Sequence, residues 1–253
     1  MTRIVVFDSG LGSLSIIKPI RKILKAEIIY FADQANYPYG KKSKSQLNQI
    51  IKKTIQSLDT FKPDITVMAS NTPSLMLKTS SRKVIDVKPP LQLAAKISKS
   101  KHIGILGTKS AIRSRGLTDF IQKNKISKSI KITRINGSEL VDLVESGKFI
   151  TNKKQSKKII QNTLSNTILK KPIDVITLSS THLPFLKSLL QECFGHIQFI
   201  DPGEIIAQKV YERIHTTQSK KNSLKIFTSG NVKTFEQNLR KMGIKNKVFY
   251  FST

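Results

Sequence analysis

Short apolar runs alternate along the chain with longer amphipathic stretches. The stretch Leu14–Leu24 has apolar residues at 14, 16, 17, 20 and 24, a stripe that predicts a helix, and Gln46–Phe61 and Lys153–Leu169 follow the same pattern. The apolar runs predict buried strands at Ile4–Phe7, Ala26–Phe31, Ile65–Met68, Ile103–Leu106, Ile130–Ile135, Val175–Leu178, Ile197–Ile200 and Lys225–Thr228. This alternation predicts parallel sheets flanked by helices, an α/β fold.

Polar residues cluster where four of these predicted strands end. The loops that follow the strands are Asp8–Ser13, Ala69–Pro73, Gly107–Ser110 and Ser179–His182. In parallel sheets, ligands bind in the loops at the carboxyl ends of strands. These four loops are therefore the candidate site.

Two of the strand–loop junctions resemble each other. Residues 62–72 align with residues 171–182 after one inserted residue, and Ser70 then falls on Ser180. Any two buried strands with polar ends share some likeness, but hydroxyls at matching positions favour a true repeat. The predicted architecture is two similar α/β lobes whose loops face one cleft.

The charge of the chain leaves two interpretations open. Of the 253 residues, 44 are Lys or Arg and 16 are Asp or Glu, which gives a formal net charge of +28. Such an excess is typical of proteins that bind nucleic acid or anionic surfaces. The lysines are nevertheless spread along the whole chain, without a block of five or six and without a recognised nucleic-acid motif. Their spread favours a solvated lysine-rich surface, and nucleic-acid binding is kept as the alternative.

Cysteine content and hydropathy limit the other classes of site. Cys193 is the single cysteine, which excludes an intrachain disulfide and a cysteine-built metal site. No apolar run approaches the ~18–20 residues that span a bilayer, and the first apolar stretch is too short for a signal peptide. We therefore expect no membrane association and a cytoplasmic location. The glycine spacing fits no nucleotide-binding motif, so a nucleotide cofactor is not supported.

Ser70 and Ser180 are placed to work on opposite faces of a bound molecule. Proton removal from one face and delivery to the other requires groups whose pKa allows both protonation states. A thiol has a pKa of ~8.5, whereas a hydroxyl resembles water at roughly 15.7. The gap is about 7 units, or on the order of 10 kcal/mol. His182 either activates Ser180 or only hydrogen-bonds a ligand or a neighbouring loop.

Backbone N–H groups in the same loops are a second candidate feature. Gly10, Gly12 and Ser13 are predicted to open a helix, and so are Asn71-Thr72 and Thr181. Helix N-termini of this kind bind carboxylates.

Several longer motifs, taken in order, resemble those of glutamate racemases in the aspartate/glutamate racemase family. The combination is specific, although each motif alone is not, and it covers nearly the whole chain. The motifs are Ile4–Ser15, Tyr30–Ser43, Ile103–Thr108, Leu143–Gly147, Ile200–Glu204 and Phe227–Asn231.

The resemblance implies two pseudo-symmetric lobes, each a mostly parallel sheet flanked by helices, with the active site between them. One lobe comprises residues 1–95 plus 206–253, and the other comprises residues 96–205. The resemblance also implies a homodimer, no cofactor and no metal.

The resemblance further implies the chemistry of the cleft. In the family, one cysteine removes the α-proton of glutamate and a second cysteine reprotonates the opposite face. Here Ser70 and Ser180 take the cysteine positions, and Asp8, Glu145 and His182 match the groups that assist the thiols. The residues that match the family's substrate-binding positions are Ser9, Pro38, Tyr39, Gly40, Asn71, Thr72 and Thr181.

The departures from the family pattern fall on the reacting groups. The family's Ala-Cys-Asn-Thr contains Ser70 here, and its Gly-Cys-Thr-His contains Ser180. Three explanations compete: a natural relative whose racemisation was lost or changed, weak racemisation through hydroxyls or water, and an engineered substrate trap. Natural divergence is favoured because further positions also depart from the usual pattern, namely Pro73, Lys88, Ala111 and Ser179.

The leading hypothesis is a racemase-fold protein that binds an acidic amino acid or a related small carboxylate, with conventional racemisation absent or very slow. The alternative is a non-catalytic binding or regulatory protein that contacts nucleic acid through its basic surface. A third hypothesis is another reaction at an acidic α-carbon, such as decarboxylation or double-bond isomerisation.

Overall fold

Two parallel sheets organise the chain in the computed structural model, which describes residues 2–77, 83–214, 219 and 221–253. The first sheet has the strand order β10-β9-β2-β1-β3-β4, and the second has the order β6-β5-β7-β8. The strands are β1 Arg3–Asp8, β2 Glu27–Ala32, β3 Ile65–Met68, β4 Val84–Asp86, β5 His102–Gly107, β6 Lys131–Asn136, β7 Val175–Leu178, β8 Gln198–Ile200, β9 Ser223–Thr228 and β10 Val248–Tyr250. The predicted α/β fold with two parallel sheets is confirmed.

The two sheets repeat one topology. The order β2-β1-β3-β4 in the first sheet corresponds to β6-β5-β7-β8 in the second. The strands β3 and β7 therefore hold equivalent positions, as the aligned segments 62–72 and 171–182 predicted. Strands β9 and β10 extend only the first sheet, and β9 pairs with β2. The division of the chain after residues 95 and 205 stays a prediction.

Helices cover the sheets. They are α1 Ser13–Ile23, α2 Lys44–Leu58, α3 Asn71–Met76, α4 Leu91–Ile97, α5 Lys109–Arg113, α6 Arg115–Lys123, α7 Ser138–Glu145, α8 Lys148–Thr151, α9 Lys153–Ile168, α10 Lys187–Cys193, α11 Gly203–Ile214 and α12 Val232–Lys241. The stripe on α1 buries Leu14, Ile17 and Ile20 in the same core as Ile206 and Val210 of α11. No helix within the described ranges is long and apolar enough to cross a membrane.

Local signals explain where several elements begin and end. Ser43 caps α2, because its hydroxyl accepts the Gln46 N–H while the Gln46 side chain accepts the Ser43 N–H. The helix predicted to reach Phe61 ends at Leu58, and a 3-10 turn, Asp59–Phe61, leads to Lys62 in the left-handed region at φ 52°. The strands β4 and β10 were not predicted, because three-residue segments at sheet edges carry too little periodicity.

Thr181 was predicted to open a helix, and the helical segment after it begins only at Leu183 and in 3-10 form. The N–H of Leu183 donates to the Ser180 carbonyl at 3.0 Å, which closes a tight turn. A 3-10 segment, Leu183–Leu186, follows, and α10 begins only at Lys187. Pro184 lies in the first turn of that segment, where its missing N–H costs nothing.

Candidate functional site

The carboxyl ends of the two sheets meet through Asp8 and Thr181. Asp8 ends β1, and Thr181 follows β7. The Thr181 hydroxyl lies 3.0 Å from Asp8 Oδ2 and 2.9 Å from the Ala69 carbonyl oxygen, just before Ser70. The Ser15 hydroxyl on α1 lies 2.7 Å from the Thr181 carbonyl oxygen. These contacts bring the predicted site loops of both sheets together.

Asp8 is a buried carboxyl group at the centre of this junction. Burial raises its pKa above the ordinary value of 3.8, and the positive charge of His182 and hydrogen bonds from Ser9, Ser70 and Thr181 only partly offset that effect. A buried carboxyl group whose pKa is raised among other polar groups is typical of functional sites.

His182 connects Ser180 to Glu145. Its Nε2 lies 2.5 Å from Glu145 Oε1, and its Nδ1 lies 3.5 Å from Ser180 Oγ. Burial lowers the pKa of His182, but the hydrogen bond and charge of Glu145, with the charges of Asp8 and Asp142, raise it above the ordinary value of 6.5 overall. The imidazole therefore has a partner on each ring nitrogen.

Glu145 also reaches the first sheet. Its Oε1 accepts the backbone N–H of Leu11 at 2.6 Å. A Cβ at Gly10 would overlap the Glu145 carboxylate, and a Cβ at Gly12 would overlap the side chains of Asp8 and Thr181. Glycine is required at both positions because the carboxyl groups approach the backbone so closely.

A chain of hydroxyls forms a second bridge between the sheets. Thr72 Oγ1 lies 3.1 Å from Thr108 Oγ1, which lies 3.2 Å from Ser110 Oγ. Ser110 Oγ also packs against Gly40, 2.9 Å from where a Cβ would stand. Thr108 and Ser110 were not among the predicted site residues, although they lie in one of the four polar loops. Their position after β5 was the signal that pointed to them.

The predicted substrate-binding segment around Tyr39 is anchored by Asp33, which the sequence reasoning missed. The Tyr39 hydroxyl donates to Asp33 Oδ2 at 2.9 Å, and the Ser229 hydroxyl donates to Asp33 Oδ1 at 2.9 Å. The Asn36 amide donates to both oxygens at 3.0 Å. The Tyr39 hydroxyl thus donates to this carboxylate, and toward a ligand its oxygen can act only as a hydrogen-bond acceptor.

The other predicted binding residues differ in what they present. Asn71 Nδ2 donates to the Val87 carbonyl at 3.0 Å, so this amide faces the protein interior. The Ser9 N–H donates to Asp8 Oδ1 at 2.7 Å. Pro38 follows Tyr37 through a cis peptide bond, and its carbonyl accepts the Lys41 N–H. The hydrogen bonds to Asp8 within the described part of the chain come from Ser9, Ser70 and Thr181, and Asn71 is not among these donors.

The centre of the site is buried and retains unused backbone donors. Ser70 is 7% exposed and Ser180 is 6% exposed. No described residue accepts the backbone N–H of Ser180 or of Thr181. Such groups are available to a carboxylate or another oxygen ligand. Within the described ranges no group of three His, Cys, Asp or Glu is placed to hold a metal ion.

Two relatives decide the family. Glutamate racemase of Buchnera aphidicola subsp. Schizaphis graminum is 34% identical over 228 residues, which cover 87% of this chain and 88% of that protein. Glutamate racemase of Shewanella denitrificans is 35% identical over 217 residues, which cover 82% of this chain and 76% of that protein. The chain belongs to the glutamate racemase family. The family that the motifs predicted is therefore confirmed, while no protein-family model matches the chain.

Solved glutamate racemases share this fold. An isoform from Bacillus anthracis superposes with a TM-score of 0.85 at 24% identity, covering 99% of this chain and 97% of that one. The Escherichia coli glutamate racemase was solved with L-glutamate and the activator UDP-MurNAc-Ala. It has a TM-score of 0.85 at 21% identity, and the match covers 99% of this chain and 98% of that one. The Francisella tularensis glutamate racemase, solved with D-glutamate, has a TM-score of 0.82 at 22% identity, and the match covers 100% of this chain and 97% of that one.

Within this glutamate racemase framework, Ser70 and Ser180 follow equivalent strands of the two sheets. Asp8 borders Ser70 and His182 borders Ser180, so each hydroxyl has its own ionisable neighbour. The role of each residue toward a ligand stays a prediction.

Proposed function

We propose that the cleft binds glutamate and that two-thiol racemisation is absent from this chain. The observation that carries the proposal is the junction of Asp8, Ser70, Thr181 and His182, in which hydroxyls stand beside both ionisable groups. The side chains at this junction support an amino-acid site, and both positions of the family's thiols hold serines.

The chemistry of the junction supports glutamate binding. The buried carboxyl group of Asp8 is complementary to the α-ammonium group of an amino acid, and the unused N–H groups of Ser180 and Thr181 are complementary to a carboxylate. Family relatives are named glutamate racemases, and two structural neighbours were solved with L-glutamate or D-glutamate. The excess of positive charge draws anionic ligands toward the cleft.

The serines support the absence of two-thiol chemistry. A hydroxyl lies about 7 pKa units above a thiol, which costs on the order of 10 kcal/mol for each proton transfer that needs the anion. The single thiol, that of Cys193, lies on α10 with its Sγ 4.0 Å from the Lys157 carbonyl oxygen on α9. The Cys193 thiol therefore does not take the place of the Ser70 or Ser180 hydroxyl in the cleft.

Calorimetric titration of the purified chain with L-glutamate, D-glutamate and L-aspartate tests the binding. We expect saturable binding of at least one glutamate enantiomer. Thr181→Val, which removes the hydroxyl beside Asp8, is expected to weaken binding about tenfold or more, the effect of losing about 1.4 kcal/mol. Thr60→Val, at an exposed turn after α2, serves as the matched control.

Two results would contradict the binding proposal. One is the lack of saturable heat with either glutamate enantiomer when the protein is folded. The other is salt-sensitive binding of duplex DNA without a response to any amino acid, which would support the nucleic-acid alternative.

A further inference from the structure

Glu145, His182 and Ser180 form a linear relay of the acid–base–hydroxyl type. Glu145 Oε1 lies 2.5 Å from His182 Nε2, and Ser180 Oγ lies 3.5 Å from His182 Nδ1. The serine is 6% exposed and the histidine 5% exposed. The longer second distance is the kind that tightens when a substrate is bound.

A serine at this position suits a different reaction from that of a thiol. The hydroxyl is a poor base by itself, but a hydroxyl beside an oriented imidazole is an effective nucleophile. If Nε2 carries the proton donated to Glu145, the lone pair of Nδ1 faces Ser180 Oγ. We propose that Ser180 is a nucleophile, activated by His182 and Glu145, that cleaves esters of small amino acids.

The surroundings of Ser180 define the substrate class. The backbone N–H groups of Ser180 and Thr181, which no described residue accepts, are placed next to the nucleophile and can bind the oxyanion. Asp8 lies on the other side of Thr181 and is complementary to a substrate ammonium group. The low exposure of Ser180, 6%, favours a small acyl group.

The reaction balances with water as the second substrate. Ser180 Oγ forms a bond to the ester carbonyl carbon while its proton passes to His182 Nδ1. The carbon–oxygen bond to the leaving group then breaks, and the leaving alcohol takes that proton. Water attacks the acyl carbon and gives one proton to Nδ1. The bond between the acyl carbon and Ser180 Oγ then breaks, Oγ takes the proton back from Nδ1, and the amino acid is released.

Ser70, in the same cleft, has a different ionisable neighbour from Ser180. Its hydroxyl hydrogen-bonds the Asp8 carboxyl group, and no described histidine ring nitrogen contacts it. A carboxyl group without an intervening imidazole does not provide the same activation. The acid–base–hydroxyl arrangement is therefore present at Ser180 and not at Ser70, although the two serines follow equivalent strands.

Covalent labelling of the native protein with diisopropyl fluorophosphate, read by peptide mass spectrometry, tests the proposal. The reagent bonds phosphorus to an activated serine and releases fluoride. We expect one adduct on Ser180, with the rate reduced about a hundredfold or more in His182→Gln. The exposed histidine at position 196 is the matched control, and His196→Gln is expected to label at the original rate. Unlabelled protein should also release p-nitrophenol from alanine p-nitrophenyl ester. We expect this release to be equally fast in the original chain and in His196→Gln, and much slower in His182→Gln.

Labelling of Ser70 instead of Ser180, no adduct on the native protein, or an unchanged rate in His182→Gln would each overturn the proposal. Protein unfolded in urea should lose the reaction, so mapping on the original chain remains decisive even if His182→Gln does not fold. Glutamate binding is measured separately on the same preparation. A chain that binds glutamate but forms no adduct rejects only the nucleophile proposal, and a chain that forms the adduct without binding glutamate rejects only the glutamate proposal.

Discussion

The Glu145 carboxylate and the His182 imidazole approach each other within 2.5 Å in a nearly closed environment, with side-chain exposures of 14% and 6%. Glu145 ends α7, and the same carboxylate oxygen accepts the Leu11 N–H from the other sheet. One carboxyl group thus sets the charge of the histidine and joins the two sheets. The stability of the site and its protonation state are linked through this pair.

Glu145→Gln is expected to destabilise the fold in a pH-dependent way. The folded-state pKa of His182 is raised above 6.5 through Glu145, so the stabilisation is fully present below pH 6.5 and is lost as pH rises through the folded pKa. We expect a loss of about 1–3 kcal/mol at the acidic end, shrinking toward pH 9. Urea unfolding followed by circular dichroism between pH 5.5 and 9 measures it.

Glu139→Gln provides the control for this experiment, because Glu139 is exposed on the same helix and accepts a hydrogen bond from the Thr163 hydroxyl at 3.3 Å. The unfolding free energies of the original chain and of Glu145→Gln could instead differ by the same amount across this pH range. That result would exclude the ion pair as the source of the difference.

Strand–helix alternation was enough to predict the sheets, because buried parallel strands are continuous apolar runs. The serine positions were predictable for the same reason, since Ser70 and Ser180 directly follow such runs. Nothing local marks Asp33, whose importance comes from contacts with Tyr39 and Ser229 made only after folding. Ser110 was marked by its place in the loop after β5, but its contact with Gly40 also exists only in the folded chain. At Thr181 the local sequence resembles a helix start, but the Leu183 N–H first closes a four-residue turn with the Ser180 carbonyl, so the helical segment begins later.

Asp33→Asn is expected to loosen the segment that carries Tyr39 and Gly40. Asp33 is fully buried and accepts hydrogen bonds from Tyr39, Asn36 and Ser229. An amide would turn one acceptor into a donor that faces other donors. We expect a loss of about 1–3 kcal/mol in unfolding free energy, together with weaker glutamate binding in the calorimeter.

The exposed Asp59 at the end of α2 offers a matched change, and Asp59→Asn should leave both quantities unaltered. If Asp33→Asn were as stable as the original chain and bound glutamate equally well, Asp33 would have no anchoring role.

Gly116→Ala is expected to disturb the helix that begins at Asn71. A Cβ at Gly116 in α6 would overlap the backbone carbonyl of Leu75 in α3, which cannot move like a flexible side chain. Relieving this overlap should cost about 1–3 kcal/mol and displace Ser70 at the start of α3. Thermal unfolding and glutamate titration measure the two effects.

Gly195→Ala is the matched control, since its nearest neighbour, the Gln191 carbonyl oxygen, lies 3.7 Å away at ordinary contact distance. Its stability should change by about 0.5 kcal/mol or less. Equal behaviour of the two alanine variants would show that α3 and α6 are not tightly packed at Gly116.

The most direct test of the central claim is the exchange of the glutamate α-proton in deuterium oxide, followed by proton NMR. The original chain is compared with the double variant Ser70→Cys/Ser180→Cys at glutamate concentrations that saturate binding. We expect the original chain to bind glutamate without exchanging its α-proton, and we expect the two introduced thiols to catalyse the exchange. Rapid exchange by the original chain, at a rate matching that of the double variant, would contradict it.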